Sequence, residues 1–212
     1  MLQTAVHATA DSATRLYQRA PSLVLKCSWE HRLPTLEGDG VELRELGTRD
    51  ARALHRSIGS PDVARYISPP PPTIAEWERF IAWTHRARAE GRHACFGVVP
   101  REVGSPVGLF QIWRLGTRFD TAEWGFVLDR PFWGTGIFER AAELIADFGF
   151  DTLGAGRIEA RASIENGRGN GALRKLGAHQ EALLRHCFEL QGQRVHHVLW
   201  ALLADEWREG RE

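Results

Sequence analysis

The chain has 212 residues, of which 43% are hydrophobic and 25% charged, and its 27 basic residues are balanced by 27 acidic ones. This length suits one domain with an ordinary core and would be crowded for two. Balanced charge supplies no net field for recruiting nucleic acid or an anionic membrane, so the composition predicts neither partner.

Cysteine usage and the N-terminal residues bear on the cellular compartment. Cys27, Cys95 and Cys187 are odd in number and far apart, which argues against a disulfide framework or a zinc ribbon. Residues 1–11 lack the basic region and apolar run of a signal peptide, and no run of about eighteen apolar residues occurs. We therefore expect a cytoplasmic protein with structural thiols and no metal.

Residues 1–38 form an N-terminal extension whose role the sequence does not assign. Residues 13–19 are weakly helical in pattern, and residues 23–27 have the composition of a strand. A disordered tail, an extra edge strand and a dimer arm are all compatible with this segment. Its apolar residues, which include Trp29, favour a packed extension, and residues 39–212 are predicted to form the main domain.

The main domain begins with a strand and two helices. Residues 41–46 alternate as a strand does, and residues 50–58 follow a helical pattern. Thr73 and Glu76 have the spacing of a capping box, which predicts a second helix that ends near Gly91.

Two hairpins account for most of the remaining strands. Residues 95–99 and 106–115 are separated by Gly-Ser-Pro, which is a hairpin signal, and residues 181–190 and 195–203 flank Gln-Gly-Gln. The alternation of strands and helices predicts a mixed sheet with helices on both faces.

The most informative segment, residues 123–148, has the pattern of a strand, a glycine turn and a helix. Its sequence is EWGFVLDRPFWGTGIFERAAELIADF. Alternate apolar side chains in the first part predict the strand, and apolar residues on one helical stripe predict the helix. Gly134 and Gly136 allow a tight turn that directs the first N–H groups of the helix at a phosphate.

Two common nucleotide motifs do not fit this segment. A dinucleotide fingerprint requires a third glycine where Glu139 stands. A P-loop requires Gly-Lys-Ser/Thr, which the chain does not contain.

Residues 157–177, RIEARASIENGRGNGALRKLG, predict a further strand and a short helix. Asn166 ends the strand and offers its side-chain amide either to a ligand or to the N-terminus of the helix. Three glycines within residues 167–171 would together cost about 3 kcal/mol inside a helix relative to alanine. The helix is therefore predicted to begin near Asn170, with residues 166–170 as a flexible loop.

These two segments resemble motifs A and B of the GNAT N-acetyltransferase superfamily, and the resemblance extends over about residues 41–203. Motif A with a tryptophan before Gly-x-Gly resembles the version found in the branch of ribosomal-protein N-terminal acetyltransferases. The resemblance implies a single-domain α/β GNAT fold, with a mixed, mostly antiparallel central sheet of about seven strands flanked by helices on both faces.

The resemblance also implies an activity. Acyl-CoA, with acetyl-CoA as the default, would be the co-substrate, and its acyl group would pass directly to a primary amine without a covalent enzyme intermediate. The acceptor would be a protein N-terminus or a small molecule, selected by residues 47–92. The protein would act as a monomer or a homodimer.

The resemblance assigns residues to coenzyme A. In the family, the pyrophosphate lies at the glycine turn and the pantetheine lies near the asparagine of motif B. Backbone N–H groups of the motif A strand are the natural donors to the oxyanion. The cofactor-binding residues implied in this way are Val127, Leu128, Trp133, Gly134, Thr135, Gly136, Ile137, Asn166 and Asn170.

Glu123 is the predicted catalytic residue. An amine with a pKa near ~10 is only about a thousandth neutral at pH 7, so a positioned base is valuable. Glu123 begins the motif A strand with parity opposite to Trp124, and a glutamate at the matching place is common in the branch, where it is thought to act as base or to orient water. An ordinary salt bridge at a strand end is the alternative.

The sequence departs from the family where a proton donor to the leaving thiolate is expected. Leu173 stands where many members have tyrosine, and Gly169 stands where some have serine. A thiol with a pKa near ~8.5 leaves a tolerable thiolate, with water or Asn170 as donor. The departures keep open a catalytically silent acyl-CoA-binding or sensor protein, and the flexible loop keeps open a larger acyl group such as succinyl.

The histidines do not predict a metal site. His196 and His197 lie on opposite faces of a strand and cannot chelate one ion together. His186 shares its strand parity with apolar neighbours and is predicted to lie in the core. His93 is a weak alternative base.

Overall fold

A computed structural model describes residues 28–190 and 192–210. Within this part of the chain an eight-stranded sheet has the order β1-β2-β3-β4-β5-β6-β8-β7. The strands are β1 (Leu36–Gly38), β2 (Val41–Glu45), β3 (His93–Pro100), β4 (Gly108–Arg114), β5 (Thr121–Leu128), β6 (Arg157–Ser163), β7 (His179–Leu190) and β8 (Gln193–Leu203). All neighbours are antiparallel except β5 and β6. The predicted mixed, mostly antiparallel sheet is confirmed, and β1 is the strand beyond the seven expected.

Helices cover both faces of the sheet, as predicted. They are α1 (Ala51–Ile58), α2 (Pro61–Ala64), α3 (Ile74–Ala89), α4 (Ile137–Asp147), α5 (Gly167–Lys175) and α6 (Ala204–Glu209). One face packs α1 and α3 over buried Cys95 and Leu109, whereas the other packs α4 and α5 over a larger apolar core. No described helix is long and apolar enough to cross a membrane.

The capping residue predicted for α3 lies where the sequence places it. The Glu76 backbone N donates to Thr73 Oγ1 at 3.3 Å, and α3 begins at the next residue, Ile74. The helix ends at Ala89, close to the predicted Gly91, whose φ is 63°.

The N-terminal extension is described only from residue 28. The predicted helix at 13–19 and the predicted strand at 23–27 lie outside the described residues. Trp29 packs edge-on against Phe119 with ring centroids 5.6 Å apart, and Leu33 is buried in the main core.

The start of α5 differs from the prediction. The helix begins at Gly167 rather than near Asn170, because Asn166 caps it: Asn166 Oδ1 accepts a hydrogen bond from Gly169 N at 2.9 Å. Leu173, which is fully buried, anchors the helix to the core. Capping and burial together offset the poor helix propensity of the glycines. The flexible loop expected at 166–170, and with it the sequence argument for a larger acyl group, is therefore wrong.

His186 also differs from the prediction, since it is exposed rather than in the core. The pairing of β7 with β8 shifts between Leu184 and Phe188, and His186 has a φ of 50° in this irregular stretch. The shift breaks the alternation on which the prediction depended. The backbone N of His186 donates to His196 Nδ1 at 3.0 Å, and the two rings stack.

Candidate active site

The sheet opens between β5 and β6. These parallel strands pair only from Thr121 with Arg157 to Glu123 with Glu159. Residues 124–128 of β5 therefore have no partner in the described part of β6. A cleft of about 1000 Å³ occupies this opening and extends along the α3 side of the sheet.

Glu123 lies at the point where the two strands separate. Its register partners are Trp113 in β4 and Glu159 in β6, so these side chains share the sheet face that carries α1 and α3. Trp124 points to the other face and is buried there. The carboxylate lines the cleft and its side chain is only 13% exposed.

Burial raises the pKa of the Glu123 carboxyl above its ordinary value. The nearby negative charge of Glu159 raises the pKa further, whereas Arg161 opposes both effects with its Nε 3.7 Å from Glu123 Oε1. A carboxylate with a raised pKa is a stronger base than an exposed one, which suits proton removal from an amine.

Removing the charge of Glu159 and removing the charge of Arg161 should move the acidic limb of the pH–rate profile in opposite directions. Glu159→Gln removes a negative charge that raises the Glu123 pKa, so the limb should move to lower pH. Arg161→Gln removes a positive charge that lowers this pKa, so the limb should move to higher pH. The check is kcat/KM as a function of pH for both variants; shifts of the same sign would contradict Glu123 as the titrating group.

The register with β4 selects which N–H groups of β5 face the opening. Leu115 N donates to Thr121 O, and Asp129 N donates to Val107 O. The residues in both pairs are odd-numbered. Because backbone groups point to alternate sides along a strand, the N–H and C=O of Val127 are directed at its partner Leu109 in β4. The N–H of Val127, one of the expected donors, therefore points at β4 and not at the opening.

The groups directed at the opening belong to even-numbered residues of β5. The N–H groups of Phe126 and Leu128 face it, whereas Leu128 O is already used, because Trp133 Nε1 donates to it at 2.7 Å. The N–H of Phe126 is therefore a candidate oxyanion donor that the sequence did not indicate, beside the expected N–H of Leu128. Side-chain alternation alone does not reveal which neighbouring strand a backbone amide meets.

The glycine turn between β5 and α4 has the geometry of an anion site. Gly134 and Gly136 have φ values of 75° and 81°, which a residue with a Cβ rarely adopts. The first helical hydrogen bond of α4 runs from Arg140 N to Gly136 O, so the N–H groups of 137–139 have no helical acceptor. Thr135 Oγ1 donates to Phe132 O at 2.8 Å and braces the turn.

Two arginines add positive charge beside the turn. Arg140 NH2 donates to Thr135 O, and its buried Nε has no hydrogen-bond partner among the described residues. Arg168 of α5 lies over the Trp133 ring, with its Cζ 4.4 Å from the ring centroid. The turn and these guanidinium groups fit a pyrophosphate chemically. Arg168 could not be predicted from the sequence, because its contact with Trp133 is tertiary.

Asn166 lines the cleft and Asn170 lies one turn further along α5, and both side chains are bound within the protein. Asn166 caps α5, so its Oδ1 is occupied. Asn170 Nδ2 donates to Ser163 O and Asn166 O, and Asn170 Oδ1 accepts from Trp200 Nε1, each at 2.8 Å. Asn170 therefore joins α5 to β6 and β8 and has no remaining donor for a thiolate.

Asn170→Ala should destabilise the fold. The substitution leaves the buried Trp200 Nε1 without an acceptor, which costs about 1–3 kcal/mol. Gly171→Ala on the same helix is the matched control, because its Cβ would meet open space; it should stabilise by about 0.5–1 kcal/mol. Urea unfolding measures both, and an Asn170→Ala variant as stable as the wild type would contradict the structural role.

Comparison with known proteins identifies the architecture. Residues 41–179 match the family described as "Acetyltransferase (GNAT) domain". The chain belongs to the GNAT acetyltransferase family. The match covers the strand, glycine turn and helix of the anion site as well as the capped helix α5.

Similar proteins include bacterial acetyltransferases. An uncharacterized N-acetyltransferase p20 of Bacillus licheniformis is 27% identical over 176 residues, covering 82% of this chain and 99% of the relative. Spermidine N(1)-acetyltransferase of Escherichia coli K12 is 28% identical over 154 residues, covering 72% and 80%. The fold resembles Mycobacterium smegmatis RimJ in complex with CoA-disulfide, with a TM-score of 0.72 and 24% identity, covering 82% and 87%.

On α5, where the family places the proton donor to the leaving thiolate, this acetyltransferase has no tyrosine or serine at the expected positions. Leu173 is 1% exposed and packs in the core, and Gly169 is buried beneath Asn166. The cleft therefore offers an apolar surface at this place.

Burial lowers the pKa values of His93 and His197 below that of an ordinary histidine. Burial lowers the pKa of His93 to about 4, and its Nε2 lies 3.0 Å from Gln111 Oε1. Burial, and secondarily Arg161, lowers the pKa of His197, which lines the cleft. A histidine with a pKa of about 4 is a weak base, so the chemistry of the site favours Glu123 over His93.

The described cysteines differ in environment. Burial raises the pKa of the Cys95 thiol, which makes it an inert packing group, whereas Cys187 is exposed at the cleft. Among residues 28–190 and 192–210, no group of three His, Cys, Asp or Glu could hold a metal ion.

Proposed function

We propose that this acetyltransferase transfers the acetyl group of acetyl-CoA directly to a primary amine of a small molecule or a protein N-terminus. The observation that carries the proposal is the position of Glu123. This half-desolvated carboxylate lies where β5 and β6 separate, in a cleft that the free N–H groups of β5 also face. A base and oxyanion donors on one strand are the two elements that acyl transfer to an amine requires.

In the proposed reaction, different parts of the site bind the pyrophosphate, stabilise the oxyanion and remove the proton. Residues 133–137 and Arg140 hold the pyrophosphate, and Arg168 approaches it from α5. The N–H of Phe126 donates to the thioester oxygen as negative charge develops there. Glu123 accepts the proton of the ammonium ion, directly or through water, and frees the lone pair that attacks the thioester carbon.

The transfer forms a carbon–nitrogen bond and breaks the carbon–sulfur bond, and the attacking nitrogen loses its second proton to solvent as the tetrahedral intermediate collapses. Because thiols are much stronger acids than alcohols, with a reference pKa of about 8.5 for the cysteine side chain, the thiolate of coenzyme A leaves without a dedicated acid and takes its proton from solvent. This accounts for a working enzyme that has Leu173 and Gly169 where relatives have a tyrosine or a serine.

A second candidate function rests on those same two residues. A protein without a thiolate donor could bind acyl-CoA as a sensor and release no product. The two functions differ in turnover, because a sensor binds acetyl-CoA with no amine-dependent release of CoA.

The deciding experiment measures free thiol released from acetyl-CoA or succinyl-CoA with a broad panel of amines and N-terminal peptides. We expect release that depends on both enzyme and amine, with mass spectrometry showing the acetylated amine. Binding of acetyl-CoA in calorimetry with no release for any acceptor would support the sensor and contradict the transferase.

A further inference from the structure

The cleft wall formed by α3 and β4 carries four aromatic side chains, three on α3 and one on β4. Neighbouring ring centroids are 5.5 Å apart for Trp77 and Phe80, and 6.0 Å apart for Phe80 and Trp83. His93 lies behind the wall, 4.9 Å from Trp83 and 6.3 Å from Trp113. Trp77, Phe80, Trp83 and Trp113 all line the cleft, although Trp77 is 2% exposed and contributes mainly by packing behind Phe80.

The aromatic surface extends to the catalytic carboxylate. Trp113 is paired in register with Glu123 on the neighbouring strand. Its indole lies across Gly125, where an added Cβ would be 3.5 Å from Trp113 Cη2. The glycine keeps this stretch of β5 flat beside the ring. Trp83 contacts Phe80 and His93 but is still 41% exposed, which is unusual for tryptophan and leaves part of its indole available to a ligand.

The charged residues of the cleft do not favour a polycation. Its two carboxylates each have an arginine partner that also lines it: Glu76 with Arg79 at 3.2 Å, and Glu123 with Arg161 at 3.7 Å. A polyamine would meet as many fixed positive charges as negative ones, which gives it no net attraction. A monoamine needs only one carboxylate at the strand opening, where Glu123 lies, and depends on apolar contacts for the rest of its binding.

The remaining wall does not favour a peptide. Residues 69–72 are consecutive prolines, which have no N–H group to pair with an extended main chain. The opposite side is formed by side chains of α3, whose backbone hydrogen bonds lie within the helix. A bound peptide would therefore leave much of its backbone unpaired along this wall.

We infer that the acceptor is a small primary monoamine bearing an aromatic ring, with the ring on Trp83 and Trp113 and the amine at Glu123. This inference rests on the proposed function for its reaction, but the binding that it describes can be measured without turnover. Stacking and edge contacts with indoles supply the selectivity, and the ammonium group gains further from lying near the tryptophan faces.

The test compares 2-phenylethylamine with hexylamine, spermidine and a tripeptide with N-terminal phenylalanine, all with acetyl-CoA. We expect kcat/KM for 2-phenylethylamine to exceed each of the others by about tenfold. Trp83→Ala should raise its KM by a similar factor and leave kcat and acetyl-CoA affinity unchanged. Leu115→Ala, of matched exposure at 42%, is the control and should change neither constant.

Calorimetry separates this inference from the proposed function. If no amine is acetylated, the transferase proposal fails, and the inference is judged by binding of 2-phenylethylamine to the CoA-bound protein. Binding that Trp83→Ala weakens and Leu115→Ala does not would support the aromatic site. A preference for spermidine or the tripeptide, or an unchanged 2-phenylethylamine affinity in Trp83→Ala, would overturn it.

Discussion

Glu123→Gln should lower kcat on the order of 100-fold or more while acetyl-CoA affinity stays close to that of the wild type. Glutamine has nearly the same shape as glutamate but cannot accept the ammonium proton. The anion site at the glycine turn is formed by other residues, so binding of the nucleotide portion should not depend on Glu123. Steady-state kinetics with the best acceptor, together with calorimetry of acetyl-CoA, measures both quantities. Unchanged turnover at neutral pH would exclude Glu123 as the base.

Glu159→Gln is the matched control for this substitution. Glu159 is the register partner of Glu123 but does not line the cleft, and its carboxylate pairs with Arg157 at 2.9 Å. Loss of the Glu159 charge should move the acidic limb of the pH–rate profile to lower pH and leave the maximal rate within about threefold of the wild type. Equal losses of kcat in the two variants would indicate that both act through the local structure of β5 and β6.

The raised pKa of Glu123 also predicts a change in stability. The folded state binds this proton more tightly than the unfolded state, so the stability that protonation provides is present at acidic pH and is lost as pH rises through the folded pKa. Glu123→Gln keeps the site neutral, so its Tm should equal or exceed that of the wild type at pH 8. The difference should shrink below the ordinary pKa of glutamate.

Gly136→Val should impair both the turn and the binding of coenzyme A. Gly136 is the N-cap of α4 in the left-handed region, where a Cβ costs about 1–2 kcal/mol. The added Cβ would also lie 2.8 Å from the Arg140 guanidinium. We expect acetyl-CoA affinity to fall about tenfold or more, because the first N–H groups of α4 lose their orientation. Thermal unfolding with and without acetyl-CoA measures the two effects.

Gly116→Val provides the comparison for the turn variant. Gly116 is exposed, its φ lies outside the left-handed region, and a Cβ there would meet open space. At about a hundred times its Kd, acetyl-CoA should stabilise this variant by about 2.7 kcal/mol, as it should the wild type. A Gly136→Val protein that keeps the full acetyl-CoA-dependent shift would contradict the assignment of the turn to the pyrophosphate.

Much of the fold could be predicted from local patterns. Alternation in residues 123–128, the glycine turn and the following helical stripe each depend on neighbours in sequence, and the structure has them where expected. The start of α5 was mispredicted because glycine propensity is a local quantity, whereas the Asn166 cap and the burial of Leu173 depend on the folded chain. His186 was mispredicted because an irregular pairing changes strand parity without a sequence signal.

From the sequence, the site could be predicted only as an order of residues along the chain and the strand faces that they share. The parity of Glu123 relative to Trp124 correctly indicated the sheet face of the carboxylate, because side chains alternate along any strand. The N–H groups directed at the opening are those of Phe126 and Leu128 rather than that of Val127, and this depends on which residues of β4 lie opposite. The contact of Arg168 with Trp133 joins segments from two motifs and likewise requires the tertiary fold.

The decisive measurement is a crystal structure of the protein with CoA and a bound aromatic monoamine. We expect the pyrophosphate at the glycine turn on the N–H groups of residues 137–139, the sulfur in the opening beside Phe126 N, and the amine within hydrogen-bond reach of Glu123 or of one intervening water. A sulfur atom on the far side of β5 from Glu123, or a pyrophosphate bound away from the glycine turn, would contradict this expectation.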